Sequence, residues 1–115
     1  VSEKTIFDKI LAREIPAKVA FENEHVLAFH DIQPQAPVHV LVIPKIKVAR
    51  FSDLPAQSAT DTGLFFQQVA RVAEHLGLTH DGYRVVVNCG KNGQQTVEYI
   101  HAHILGGRMM GWPPG

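Results

Sequence analysis

A chain of 115 residues suits one domain around one core, and its 45% apolar and 19% charged residues are those of a globular protein. A formal net charge of zero argues against duplex nucleic acid or an anionic membrane surface as partner. No apolar run approaches the roughly 20 residues of a membrane span, and no basic-then-apolar leader is visible. The first residue is Val1 rather than Met, which leaves room for a short preceding piece. The single cysteine, Cys89, excludes an internal disulfide and suits a reducing compartment. A cytoplasmic protein is expected, with Cys89 an inert core thiol.

In chain order, Thr5 and Asp8 predict a capped helix over residues 5–13, with Ile6, Phe7, Ile10 and Leu11 at helical spacing and Pro16 ending it. Lys18 to Glu22 and Val26 to His30 read as two short strands joined through Asn23-Glu24-His25. Two prolines, Pro34 and Pro37, make 31–37 a loop. Val38 to Ile43 is β-branched and apolar, interrupted by His39, and Pro44 is expected to stop the strand. Residues 45–55 look irregular. Ala56 to Leu76 carries the longest helical stripe (Leu64, Phe65, Val69, Val72, Ala73, Leu76), with Gly77 just past its end. Tyr83 to Cys89 and Thr96 to Leu105 read as strands around the Gly90-Lys91-Asn92-Gly93 turn. Residues 106–115 form an irregular tail. These elements predict one α+β domain, residues 1–115, on an antiparallel sheet.

The chemistry concentrates in the last strand. Alternation turns Val97, Tyr99, His101 and His103 to one face and Glu98, Ile100, Ala102 and Ile104 to the other. Two imidazoles two residues apart, roughly 7 Å at the backbone, can share one phosphate-sized group. One then acts as nucleophile and the other as a cationic hydrogen-bond donor. The same pair fits half of a zinc site, or two histidines without a task. Its surroundings favour catalysis. Gly106 and Gly107 would let backbone approach a ligand. Asn88, Gln94, Gln95 and Thr96 add neutral donors. His39 would need a polar partner in its apolar strand, and another histidine would serve. No further cluster of Cys, His, Asp or Glu completes a metal site in the sequence.

Tyr99-Ile-His101-Ala-His103-Ile-Leu-Gly106-Gly107-Arg108 resembles the His-φ-His-φ-His-φ-φ motif (φ apolar) of the histidine-triad family. Four more stretches are similar to its Hint branch: Thr5-Ile-Phe7-Asp-Lys-Ile10; Ala28-Phe29-His30-Asp31-Ile32 with Pro34-Gln-Ala-Pro37; His39-Val-Leu-Val-Ile-Pro44-Lys45; and Trp112-Pro-Pro-Gly115. The resemblance runs in order over essentially the whole chain. It implies a five-stranded antiparallel sheet with one short and one long helix, the sheet extended across a homodimer.

It also implies purine nucleoside phosphoramidase activity without metal or cofactor, on AMP or GMP conjugates. His101 matches the nucleophile, His103 the donor to the phosphoryl oxygens and His39 a further active-site histidine that helps move protons. Asn88 and Thr96 match phosphate-side positions, and Asp31 the acid that takes the ribose hydroxyls, with His30 close by. Ile6, Phe7, Ile10, Phe29 and Ile32 match the walls around the purine. Trp112 matches a tail that reaches the neighbouring subunit's site. Tyr99 stands where the motif has its first histidine, Glu98 where the branch often has Tyr, and Lys47 where many relatives carry His. The main-chain carbonyl near position 99 would still orient the nucleophile, and the Tyr99 hydroxyl could bond His39. Arg108 would meet phosphate or the partner subunit. Beside the enzyme stand two other readings, a nucleotide-binding sensor or scaffold in which Tyr99 has cost turnover, and a zinc protein using His101, His103 and His39.

Overall fold

The computed structural model describes residues 3–115. α1 (Ile6–Leu11) starts from the expected cap, a complete capping box in which the Thr5 hydroxyl accepts the Asp8 N–H and the Asp8 carboxylate accepts the Thr5 N–H. It is shorter than the 5–13 read from sequence and buries Phe7 and Ile10. β1 (Val19–Glu22), β2 (Val26–His30) and β3 (Val38–Pro44) follow. Pro44 is the strand's last residue, where β3 has already run past its final pair with β5, Val42 with Ala102, so no ladder bond on that side needs its missing N–H. The expected irregular stretch ends in a 3-10 helix, Phe51–Ala56. α2 (Ala59–His75) is capped by Ser58, whose hydroxyl accepts the Asp61 N–H, and Gly77 takes a left-handed φ of 77° after its end.

The last two strands are far shorter than their β-branched runs predict. β4 is Arg84–Val86 and β5 is Ala102–Gly106. The reason lies in the segment between them. Gln95 donates from its side-chain amide to the Ala49 and Val97 carbonyls and accepts the Gly90 N–H. Ile100 N–H donates to the Val48 carbonyl at 2.7 Å. The Ile100 N–H and the Gln95 side chain are thus drawn to the 45–50 loop rather than to β4.

The sheet order is β1-β2-β3-β5-β4, antiparallel throughout, which is the expected α+β, five-stranded architecture. One face carries Val26, Ala28, Val40, Val42, Ala102 and Ile104 against Phe65, Val69, Val72 and Ala73 of α2. Each large side chain buried there contributes about 1.5–3 kcal/mol. The other face carries Leu27, Phe29, Leu41, Ile43 and Tyr99 under Phe7 and Ile10 of α1. Tyr99 thus shares the expected face although it precedes the strand.

Three expectations change in the periphery. Cys89 is half-buried beside Ser52, its thiol 3.5 Å from the Ser52 hydroxyl, outside both apolar clusters. That contact and the Arg50 charge hold the thiol below its ordinary range, and it is not part of the core. Gly106 and Gly107 make room for protein rather than for ligand. A Cβ would lie 2.7 Å from Leu78 at Gly106 and 2.8 Å from Pro37 at Gly107, where φ is 88°. Arg108 donates to the Gln35 carbonyl at 2.9 Å and ties the 31–37 loop to the end of β5. Among the described residues no helix is long and apolar enough to cross a membrane.

Candidate active site

The β3–β5 register places Leu41 opposite His103 and His39 opposite Leu105. Both strands present alternate residues to the α1 face, so His39 and His103 meet diagonally there. Their rings are 5.2 Å apart, and His103 and His101 are 5.0 Å apart. The sequence pair and the isolated His39 therefore form one group of three.

Their hydrogen-bond partners assign the tautomers. The Gln35 N–H donates to His39 Nδ1 at 3.0 Å, so the His39 proton sits on Nε2. That Nε2–H donates to His103 Nδ1 at 2.9 Å, which leaves the proton of neutral His103 on Nε2. Among the described residues, His103 Nε2 is the buried side-chain polar atom without a partner. On the other side, His101 Nδ1–H donates to the Tyr99 carbonyl at 2.7 Å, so His101 Nε2 carries a free lone pair. The site thus offers one nitrogen with a free lone pair and one N–H without an acceptor.

The electrostatics agree. Burial pushes His101 and His39 below the ordinary imidazole range, against an opposing pull from Asp31. Burial, with His101 and His39 beside it, pushes His103 down to about 4. His103 is accordingly a neutral donor at neutral pH, not the cationic one expected from sequence. Phe7 closes the site with its ring 4.9 Å from His101. The Tyr99 hydroxyl does not reach His39. It donates to the Pro44 carbonyl, and burial together with Asp8 pushes its pKa up to about 12.

Beside the histidines lies a pocket of about 370 Å³ lined by Ile6, Phe7, Ile10, Phe29, His30, Asp31 and Ile32, together with Ile15, Pro16, Ala17, Lys18 and Leu41. All five apolar wall residues expected from the resemblance are in it, together with Asp31 and His30. Of the five that were missed, Leu41 was readable, because it alternates with His39 along β3. Asp31 Oδ1 accepts the Gln33 N–H at 2.7 Å, and Oδ2 lies 3.5 Å from His39 Nε2. The carboxylate therefore stands between pocket and histidines.

The remaining expected positions do not line that pocket. Thr96 is exposed, and Asn88 is half-buried two residues past Val86, the β4 partner of His103. Gln95 is fully engaged in its own loop. Trp112 is 83% exposed, with Arg84 5.9 Å over its ring and donating to the Gly111 carbonyl. The tail thus runs along β4 rather than over this chain's own histidines.

Asp31, His39 and His103 each offer one ligand atom, all within 4.8 Å of one another, so a possible metal-donor set does exist and includes Asp31 in place of His101. It fits a metal poorly as it stands. Tetrahedral bonds of about 2.0–2.1 Å hold ligand atoms roughly 3.3 Å apart, whereas the two nitrogens lie at 2.9 Å with one proton between them.

A five-stranded antiparallel sheet with a histidine group at the foot of α1 defines a class already. The model of the HIT domain family matches residues 12–110, and the chain belongs to that family. It is 42% identical to the purine nucleoside phosphoramidase of Escherichia coli K12 over 111 residues, 96% of this chain and 93% of that protein. It is 50% identical to the 14 kDa zinc-binding protein of Zea mays over 113 residues, 96% of this chain and 88% of that one. A HIT family hydrolase from Legionella pneumophila Philadelphia 1 superposes with a TM-score of 0.87 at 44% identity, over 97% of this chain and all of that one. The relatives therefore include hydrolases.

Proposed function

We propose that this chain is a purine nucleoside phosphoramidase that works through a nucleotidyl-histidine on His101. The observation that carries the reading is the pairing of a free lone pair on His101 Nε2 with an unpartnered N–H on His103 Nε2. A phosphoryl group seated between them meets a nucleophile and a donor at once.

In the first step His101 Nε2 attacks the α-phosphorus of an adenosine 5′-phosphoramidate. The P–N bond breaks, and the amine departs with the bonding pair and takes up a proton. That proton comes from solvent and is returned to solvent when water attacks in the second step, while the neutral His39–His103 pair keeps His103 Nε2–H turned toward the phosphoryl oxygens. In the second step water attacks the nucleotidyl-imidazole, the P–N bond to His101 breaks, and AMP leaves. An imidazole held neutral is available for attack at pH 7 and is a tolerable leaving group afterwards.

Asp31 takes the ribose hydroxyls. One oxygen already holds Gln33, so the ribose would use the remaining lone pairs. Ile6, Phe7, Ile10, Phe29 and Ile32 sandwich the base, with His30 at the rim. Such an apolar slot selects purine size more than adenine over guanine, so GMP conjugates are substrates too. Asn88 and Thr96 bond the phosphate side. A homodimer completes the site, Trp112 reaching the pocket of a second copy. Supporting this, β4 is a three-residue edge strand with Val85 40% exposed, and Trp112 lies beside it.

The test is AMP release from an adenosine phosphoramidate by the natural protein and by His101→Ala. Release abolished in the variant supports the reading. Nucleotide binding without release in either protein would make the chain a binding module instead. Stoichiometric zinc surviving dialysis, together with loss of release, would overturn the reading in favour of a metal site, which the 2.9 Å separation of the His39 and His103 nitrogens disfavours.

A further inference from the structure

The backbone just before His101 has a task but no sheet ladder to hold it. β5 starts only at Ala102, yet the carbonyl that fixes the His101 tautomer belongs to Tyr99. Its neighbouring main-chain anchor is the bond from Ile100 N–H to Val48. The rest is done by side chains. Tyr99 is fully buried, its hydroxyl donates to the Pro44 carbonyl, and its ring meets the edge of Phe7 at 6.3 Å. Lys47 Nζ lies 5.6 Å from the Tyr99 ring centroid.

Lys47 is itself fixed. Nζ donates to Asp8 Oδ2 at 2.8 Å and to the Glu3 carbonyl at 3.0 Å. Asp8 is the capping-box residue of α1, and α1 supplies Phe7, whose ring lies 4.9 Å from His101. A closed circuit results: His101 to the Tyr99 carbonyl, the Tyr99 ring to Lys47, Lys47 to Asp8, and α1 back to His101.

We propose that Tyr99 and Lys47 are positioning residues that hold His101 in a single orientation and tautomer, with Nε2 free for attack. The proposal rests on His101 being the nucleophile. Neither residue touches the reacting atoms. Tyr99 places the carbonyl, and Lys47 clamps its ring to the start of α1. The residue at the motif's first position then acts through its hydroxyl anchor and its packing rather than as a third imidazole. The titratable groups facing His101 are Asp31 from the 31–37 loop and His103 from β5; those facing Lys47 are Asp8 and Tyr99.

Tyr99→Phe removes one oxygen and keeps the ring. Lys47→Met removes the charge and keeps the length, and Lys47→Arg keeps both charge and reach. Nitrogen NMR of the imidazoles in the ligand-free proteins reads the His101 tautomer, and steady-state phosphoramidate hydrolysis reads kcat and KM. The natural protein should show His101 as the Nδ1–H tautomer alone. Tyr99→Phe and Lys47→Met should show two tautomers, with kcat down about tenfold and KM within about twofold, the pattern of a misplaced group. Lys47→Arg should restore the single tautomer and kcat.

Folded Tyr99→Phe and Lys47→Met proteins with an unchanged His101 spectrum and unchanged kcat would reduce these contacts to packing and overturn the proposal. The spectrum needs no substrate. A natural protein without phosphoramidase activity whose variants still change tautomer would therefore sink the functional reading and leave the positioning intact.

Discussion

The two faces of one sheet are made from the same two strands and do opposite work. Toward α2, β3 and β5 offer Val40, Val42, Ala102 and Ile104, all fully buried. Toward α1 the same strands offer His39, Leu41 and His103, with His101 just ahead of β5. The first face stores stability in side chains that have no chemistry. The second gives up part of that burial to hold three imidazoles neutral, a state that the low-dielectric surroundings themselves enforce. Stability and reactivity are thus separated by the two-residue period of a strand rather than by distance.

The sharpest way to break this comparison is to change one residue on each face. His101→Ala should cut AMP release from an adenosine phosphoramidate by at least about 10⁴-fold, since the proposed nucleophile is lost outright, and should leave the urea midpoint near its natural value. Ile104→Ala should do the reverse. A loss of about 2–5 kcal/mol in urea unfolding is expected for a fully buried isoleucine, with unchanged turnover per folded molecule. A stable but inactive Ile104→Ala protein would show that the faces are not separable.

Smaller effects sharpen the boundary. Asp31→Asn should raise KM by about 10–100-fold, the worth of hydrogen bonds to a charged acceptor, with a lesser change in kcat; equal KM values would remove Asp31 from ribose binding. The smallest effect is the pH dependence. His39, His101 and His103 titrate below the ordinary value of 6.5 when folded, His103 at about 4. Between those limits the unfolded chain binds more protons than the folded one, so their contribution to stability is complete above pH 6.5 and is lost as pH falls toward 4. Urea midpoints that stay level from pH 7.5 to 4.5 would contradict the assignment. The kcat/KM profile should show an acid limb with its inflection below 6.5.

What was legible in the sequence followed local periodicity. The face shared by Val97, Tyr99, His101 and His103 came from alternation alone, and the α1 cap came from Thr5 and Asp8. The length of β5 did not, because Gln95 and Ile100 bond to Ala49 and Val48, some fifty positions away in the chain. The neighbourhood of Asp31, His39 and His103 was likewise hidden, since it depends on the register between β3 and β5. Local pattern also could not show that Tyr99 turns its hydroxyl to Pro44. The five apolar residues that family resemblance matched to the purine walls, with Asp31 and His30, line one pocket.

The register itself has a consequence for how this gene can change length. Val40 faces Ile104 and Leu41 faces His103. One codon gained or lost within β3 would exchange the two faces beyond that point, turning histidines into the α2 core and valines into the pocket. The exposed turn at 79–82, between α2 and β4, carries no such parity. Length variants should therefore survive there and be purged from β3 and β5, even where the inserted residue is only an alanine.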